Sequence, residues 1–156
     1  MAARRVSPRW LTAEEQQVWR SYLDVYRLID ERLSRQLTED CDLSMAEYEI
    51  LVQLSEHPCR AMRMSELAER VVNSRSRLTH TVRRMEEGGL VTRRPCPDDG
   101  RGVLCELTDA GMARIVAAAP GHVEAVRRVL FDVVDADDLQ HLGAALGRIR
   151  EGLRTG

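Results

Sequence analysis

The sequence contains no lysine: all 23 of its basic residues are arginine. We interpret this mainly as the mark of a GC-rich genome, although the planar guanidinium also makes paired hydrogen bonds to phosphate and guanine. Aromatic residues make up only 4% of the chain, and no apolar run approaches the roughly 20 residues that span a bilayer. The N terminus has arginines but no apolar stretch after them, so it predicts no signal peptide. We therefore expect a globular cytoplasmic protein without a membrane partner.

Motifs for catalysis and metal binding are absent as well. There is no G-x-G-x-x-G, P-loop, G-x-S-x-G or H-E-x-x-H pattern, so the sequence predicts neither an enzyme nor a bound cofactor. The four cysteines form no C-x-x-C pair and the four histidines no i, i+4 pair, which predicts no metal site. Reduced thiols are the simplest interpretation of the cysteines. Cys96 lies near several arginines in the sequence and is the best candidate for a reactive thiol.

Charge is unevenly distributed, although the net charge is only −2. Residues 60–101 contain ten arginines and six acidic residues, which gives this segment a net charge of +4. The remaining thirteen arginines and nineteen acidic residues give the rest of the chain a net charge of −6. A basic middle between acidic flanks predicts a lobe that contacts a polyanion, carried on an acidic scaffold.

Capping signals and apolar periodicity predict the helices and strands. Thr12 and Glu15 form one capping box, Ser44 and Glu47 form another, and Pro120-Gly121 should kink or break its helix. The expected order is a long helix fading near Asp40, a helix from Ser44 to before Pro58, a short helix at 64–71, a helix from Ser74 to Gly88, strands at 90–94 and 103–107, an interrupted helix at 112–133, and a last helix capped by Asp135 or Asp137.

A short helix, a tight link, an arginine-rich helix and a hairpin together describe a winged helix-turn-helix, within a mainly α (α+β) fold. On the arginine-rich helix, the side opposite the apolar stripe carries hydrogen-bond donors, which suit the major groove of DNA. These outward residues are Ser76, Thr79, His80 and Arg83, flanked by Arg75, Arg77 and Arg84.

The hairpin adds one cation to this predicted surface. Arg101 lies at the tip between Gly100 and Gly102, from where it could reach an adjacent minor groove. Asp99 completes the predicted site by holding the arginine or the turn, since an acid would repel phosphate. Taken alone, the hairpin tip is more simply interpreted as a solvated loop, and the arginine-rich side of the helix as a solvated face. A helical protein-interaction module, whose basic lobe binds an acidic protein, is the alternative function.

The chain resembles the MarR family of transcriptional regulators over nearly its full length. The resemblance rests on MSELAERVVNSRSRLTHTVRRMEEGGLVTRR at 64–94, the wing PDDGRG at 97–102 and LTDAGMARI at 107–115. It implies a homodimer with interlocked N- and C-terminal helices, bound to a near-palindromic double-stranded DNA operator and often acting as a repressor. On the recognition helix it places Ser74, Arg75, Ser76, Arg77, Thr79, His80 and Arg83, and on the wing Arg101.

Dimerisation is also predicted from the residues themselves. The last helix has apolar residues three and four apart, in a heptad-like seam, at Leu139, Leu142, Leu146, Ile149 and Leu153. Pairing two chains would bury both this seam and the Val18–Leu37 stripe, and would separate two recognition helices by about one DNA turn, roughly 34 Å. The predicted parts are an N-terminal dimerisation helix at 1–43, a DNA-binding lobe at 44–107 and C-terminal dimerisation helices at 108–156.

The resemblance further implies a small aromatic or phenolic effector, bound between the dimerisation helices and the DNA-binding lobe. The candidate pocket residues are Trp19, Tyr22 and Tyr26 on the first helix and Met45 and Tyr48 on the second. Ordinary core packing is the alternative interpretation, because aromatic residues at helical spacing are usually buried in a core.

Overall fold

The computed structural model describes residues 8–71, 75–97 and 99–155, with the backbone alone at 75 and 99–101. The chain forms two compact units that divide between Arg32 and Leu33. The fold is mainly helical with one small sheet, as predicted. Its elements are α1 (Ala13–Cys41), α2 (Met45–Glu56), β1 (Ala61–Arg63), α3 (Met64–Arg70), α4 (Arg75–Glu87), β2 (Val91–Cys96), β3 (Asp99–Leu107), α5 (Asp109–Val126), a short π-helix (Arg127–Phe131) and α6 (Ala136–Thr155).

Side-chain caps begin three of the helices where the sequence predicted them. Before α1, the backbone N–H of Thr12 donates to Glu15 Oε2 at 2.8 Å, and that of Glu15 donates to Thr12 Oγ1 at 3.2 Å. The capping box of Ser44 and Glu47 begins α2 in the same way. Asp135 begins α6, because its Oδ1 accepts from a backbone N–H of the first turn at 2.8 Å. Each cap satisfies backbone donors that a helix start leaves unpaired.

Within the described residues, the first unit consists mainly of the N-terminal part of α1. Trp19, Tyr22 and Tyr26 stack in succession, with ring centroids 5.6 Å and 6.4 Å apart. All three rings are exposed, as are Val18 and Val25 on the same helix. This part of α1 therefore carries an apolar stripe that the single chain leaves open to water.

In the second unit, α2, α3 and α4 share one apolar core with the sheet. Each helix contributes side chains at three- and four-residue steps, as its periodicity predicted. The fully buried side chains are Leu37, Ile50, Leu51, Leu54, Met62, Leu67, Leu78, Val82, Met85, Val91 and Cys105.

The sheet is antiparallel with the strand order β1-β3-β2. β1 was not predicted, because three residues are too short to show an alternating pattern and its pairing with β3 defines it. The other two strands are longer than predicted: β2 continues to Cys96, and β3 begins at Asp99. The hairpin that we expected as a loop at 95–102 is therefore largely strand.

The L-T-x-x-G stretch after β3 forms a close junction between α4 and α5. Thr108 caps α5, and its Oγ1 donates to the carbonyl oxygen of Gly89 at 2.7 Å. Gly111 packs directly on the backbone, so that a Cβ there would overlap the Leu90 carbonyl oxygen and lie 2.7 Å from Leu107 Cδ1. Only glycine fits this contact, which explains the motif in physical terms.

The break expected at Pro120-Gly121 does not occur, because α5 continues through Pro120 to Val126. Proline removes one backbone donor and crowds the preceding turn. Here tertiary packing outweighs that local cost, since Ile115 and Ala118 are buried on one side of α5. The irregularity follows further along, in the π-helix.

Candidate nucleic-acid interface

Helix α4 separates its apolar and polar residues completely. Leu78, Val82 and Met85 are at most 2% exposed and anchor the helix in the core. The opposite side faces solvent along its described length, with side chains able to donate hydrogen bonds. These exposed residues are Ser76, Arg77, Thr79, His80, Arg83 and Arg84. Of the residues predicted to contact DNA, those on α4 whose side chains the structure describes therefore lie on one exposed surface.

Arg83 has a weak partner on the same surface. Its Nε lies 3.4 Å from Glu87 Oε1, one turn further along the helix, and both side chains are exposed. An exposed i, i+4 pair contributes only about 0.3–0.5 kcal/mol. Arg83 can therefore exchange this carboxylate for another acceptor at little cost.

Arg84 has a much more ordered environment. Its Nε donates to Glu47 Oε1 at 3.1 Å, and one of its terminal nitrogens lies 3.0 Å from the same oxygen. The other Glu47 oxygen, Oε2, accepts from the backbone N–H and the hydroxyl of Ser44 at 2.8 Å and 2.7 Å. Thus one carboxylate both caps α2 and binds α4.

The pKa of Glu47 reflects this environment. Burial alone would raise the pKa, because the side chain is only 13% exposed. Hydrogen bonds from Ser44 and the charge of Arg84 outweigh burial and hold the pKa below its ordinary value. Glu47 is therefore ionised under neutral conditions.

Glu86 links the end of α4 to the wing strand β2. Its Oε2 accepts from Arg93 at 2.6 Å and 3.0 Å, and its Oε1 accepts from the backbone N–H of Arg93 at 2.9 Å. These hydrogen bonds lower the pKa of Glu86. In β2 and β3, Arg94 pairs with Glu106 at 2.7 Å.

The wing changes register near its turn. Pro95 faces Val103, whereas Cys96 faces Asp99, so Gly100, Arg101 and Gly102 lie between the two pairs on β3. The backbone thus places Arg101 in an irregular part of the strand. Ser74 lies outside the described residues, and so do the side chains of Arg75, Asp99 and Arg101, so their predicted roles stay predictions.

A cavity of about 290 Å³ opens on another side of α2. Met45 and Tyr48 line it, as predicted, together with Glu49, Val52, Gln53, Arg70, Val71 and His122. The other three candidates, Trp19, Tyr22 and Tyr26, belong to the exposed stack on α1.

His122 forms one wall of this cavity. Its ring packs on that of Tyr48, with centroids 4.3 Å apart, and its Nδ1 lies 3.2 Å from Gln36 Oε1. The Gln36 amide group donates to Asp40, so its oxygen is available to accept from His122. Burial lowers the pKa of His122 and is the main cause that raises the pKa of Tyr48. The wall therefore presents a neutral imidazole and a neutral phenol near neutral pH.

Helix α6 exposes the seam that the sequence predicted for dimerisation. Leu146, Ile149 and Leu153 are 48%, 58% and 80% exposed, and Leu139 and Leu142 are half-buried. Among the residues that the structure describes, α6 buries none of its own.

The two cysteines of the wing strands, Cys96 and Cys105, do not meet the conditions for a reactive thiol. Cys96, the candidate from the sequence, is buried, which contradicts the exposure that such a thiol needs. Cys105 is also buried, and burial raises its pKa to about 12. Within the described ranges, no three histidine, cysteine or acidic side chains are grouped to hold a metal ion. Nor does any described helix have the length and apolar character to cross a membrane.

Known proteins with similar sequences are transcriptional regulators. The MarR family model matches residues 43–103. The regulator PecS of Dickeya dadantii (strain 3937) is 32% identical over 127 residues, which cover 81% of this chain and 75% of PecS. The chain belongs to the MarR family. The family identity confirms the resemblance seen in the sequence.

Solved MarR-family structures match nearly the whole chain. Sco3205 of Streptomyces coelicolor, solved in complex with DNA, is 46% identical with a TM-score of 0.89, covering 94% of this chain and 92% of that one. AbsC of the same organism is 44% identical with a TM-score of 0.88, covering 96% and 100%. These matches confirm the winged-helix fold.

The sequence did not predict the contacts that three residues of this site make. Glu47 was recognised as a cap but not as the partner of Arg84, which is 37 positions away. Glu86 was not singled out, and its partner Arg93 lies on the next element. His122 was not associated with Tyr48 or the cavity. Apart from the capping box of Glu47, no local pattern marked these pairings, because each depends on how separate elements pack.

Proposed function

We propose that this chain is a sequence-specific double-stranded DNA-binding regulator of transcription that acts as a homodimer on a near-palindromic operator. The observation that carries the proposal is the exposed row of donors on α4, which includes Arg77 and Arg83 and is backed by a buried apolar stripe. A helix with this surface suits the major groove, where arginine pairs with guanine O6 and N7. Sco3205, solved in complex with DNA, supports the proposal.

The homodimer is supported by two uncovered apolar surfaces. One is the stripe on α1 with Trp19, Tyr22 and Tyr26, and the other is the α6 seam with Leu146 and Ile149. Apolar surfaces of this extent on a soluble chain mark sites of association. A twofold pair of chains would also present two recognition helices to the two halves of a palindrome.

We further propose that the protein is a repressor and that a small molecule relieves the repression. IacR of Pseudomonas putida, 31% identical over 119 residues, is named a repressor. The cavity beside Tyr48 and His122 approaches the volume of small-molecule sites, and its aromatic rings suit a small aromatic or phenolic compound. We propose that such a compound releases the protein from DNA.

The decisive experiment measures binding to the DNA upstream of the protein's own gene, against a scrambled duplex of equal length, over a series of salt concentrations. The logarithm of the binding constant should fall with the logarithm of salt concentration, at a slope of about −0.9 per neutralised phosphate. The upstream duplex should bind at least about a thousandfold more tightly than the scrambled one. No discrimination between duplexes at any salt concentration would instead favour the protein-interaction module.

Substitutions then test the residue assignments. Arg83→Ala should cost about 1–3 kcal/mol of operator binding and change the preferred half-site. Arg101→Ala should weaken discrimination between A·T and G·C pairs at the flanks of the site. Arg154→Ala removes the same charge from the last turn of α6 and is the matched control, with little effect expected. Equal sequence preference in all three variants and the parent would refute the assignments.

A further inference from the structure

The clearest unassigned feature is the connection between the first turn of α2 and helix α4. Both oxygens of the Glu47 carboxylate are used: Oε2 by the backbone and hydroxyl of Ser44, and Oε1 by the guanidinium of Arg84. Arg84 also reaches Ser44 Oγ at 3.5 Å. A carboxylate bound at both oxygens has one orientation, so it sets the position of the side chain that it holds.

The geometry favours a role in orienting α4. Arg84 lies on the flank of the helix, between the buried stripe and the exposed row. Its partner Glu47 is nearly buried, and the pair spans two helices, unlike the exposed pair of Arg83 and Glu87 within α4. Rotation of α4 about its own axis would move Arg84 away from Glu47 and leave a poorly hydrated carboxylate without its cation, which is unfavourable.

We propose that Glu47 is a positioning residue for DNA recognition: acting through Arg84, it holds α4 at the rotation that presents Arg83 and its neighbours, and it does not touch DNA itself. This inference rests on the proposed function. It assigns to Arg84 a mainly structural role in place of the direct DNA contact expected from the sequence.

The test compares the full-length parent with three single variants and with the double variant of Glu47→Gln and Arg84→Gln. Glu47→Gln keeps an oxygen for the capping box but removes the charge that holds Arg84, and Arg84→Gln removes the cation. Glu15→Gln is the matched control, since Glu15 forms the same kind of capping box with Thr12 at the start of α1, away from the connection between α2 and α4. Each protein is measured for thermal unfolding, for amide hydrogen exchange in α4, and for binding to the upstream duplex as a function of salt concentration.

Glu47→Gln and Arg84→Gln should each weaken binding by about tenfold, the scale expected for a hydrogen-bonded ion pair. The double variant should bind no worse than either single variant, because all three lose the same interaction. The salt dependence should match that of the parent, since no phosphate contact is lost. Hydrogen exchange in α4 should rise in these variants. Glu15→Gln should bind within about twofold of the parent, as expected when only a helix cap is changed.

Three results would overturn the proposal. One is parental affinity in Glu47→Gln while Arg83→Ala still weakens binding, which would leave the proposed function intact. Another is additive losses in the double variant, with a salt slope reduced by about 0.9 in Arg84→Gln, which would make Arg84 a phosphate ligand. The third is a parent protein that does not distinguish the upstream duplex from the scrambled one, in which case the proposed function fails as well.

Discussion

Helices α4 and α6 have similar apolar periodicity but opposite environments. The stripe of α4 is buried by α2, α3 and the sheet within one chain, whereas Leu146, Ile149 and Leu153 of α6 remain exposed. In α4, carboxylates and guanidinium groups also connect the helix to α2 and β2. An apolar stripe on a helix therefore predicts a surface that becomes buried, but it does not indicate whether the same chain or a second chain buries it.

The largest effect should come from opening the α4 core. Leu78→Ala removes a side chain that is 2% exposed, and such changes cost about 2–5 kcal/mol because a cavity remains. Urea unfolding should show this loss at every protein concentration. Leu153→Ala on α6 is the control, and a similar loss there in dilute protein would contradict the distinction between the two helices.

Charge on the α6 seam should affect association instead. Leu142→Glu combined with Leu146→Glu places carboxylates where two chains would meet, and we expect the dimer dissociation constant to rise by about 100-fold, or about 2.7 kcal/mol. Sedimentation equilibrium over a range of concentrations measures this change. An unchanged mass in solution would show that α6 is not the seam.

Close packing behind α4 should be sensitive to a single methyl group. Gly111→Ala forces a Cβ into the Leu90 carbonyl oxygen, and overpacking of this kind costs about 1–3 kcal/mol. Thermal unfolding detects the loss. Gly143→Ala on α6 is a matched control, since a Cβ there meets no atom within 4 Å and alanine favours a helix. Equal melting temperatures for the two variants would show that the junction can yield.

The smallest expected effect is a change in stability with pH. The folded chain lowers the pKa of Glu86, so this carboxylate stabilises the fold above its unfolded pKa of about 4.3, and the contribution is lost as pH falls through the lower folded value. Urea unfolding at pH 6 should find the parent slightly more stable than Glu86→Gln, and the difference should decrease as pH falls below about 4.3. Glu151→Gln at an exposed position of α6 is the control for the substitution itself. A constant difference for Glu86→Gln would mean that its charge is not involved.

Much of the fold was readable from the sequence because local signals determined it. The capping boxes at Thr12 and Ser44 and the apolar steps of α4 each involve residues within a few positions of one another. β1 was missed because its three residues form a strand only through pairing with β3. The continuous α5 was misjudged because the penalty of Pro120 is local, whereas the packing that outweighs it is not.

In the candidate site, too, local features could be predicted from the sequence and contacts between separate elements could not. The exposed row on α4 followed from helical geometry, since it is simply opposite the buried stripe. The bond between Glu47 and Arg84 joins residues 37 positions apart, and the contact of His122 with Tyr48 likewise joins α5 to α2. Such pairings depend on how helices cross, which no single-sequence pattern specifies.

The first turn of α2 has a consequence for engineering. Met45 and Tyr48 line the cavity, while Ser44 and Glu47 in the same turn hold Arg84. A designer who enlarges the cavity to accept a different compound would shift this turn, and with it the recognition helix. Under the proposed function, biosensors built on this scaffold should therefore be selected for background expression without inducer and for ligand response together, because both depend on the same turn of α2.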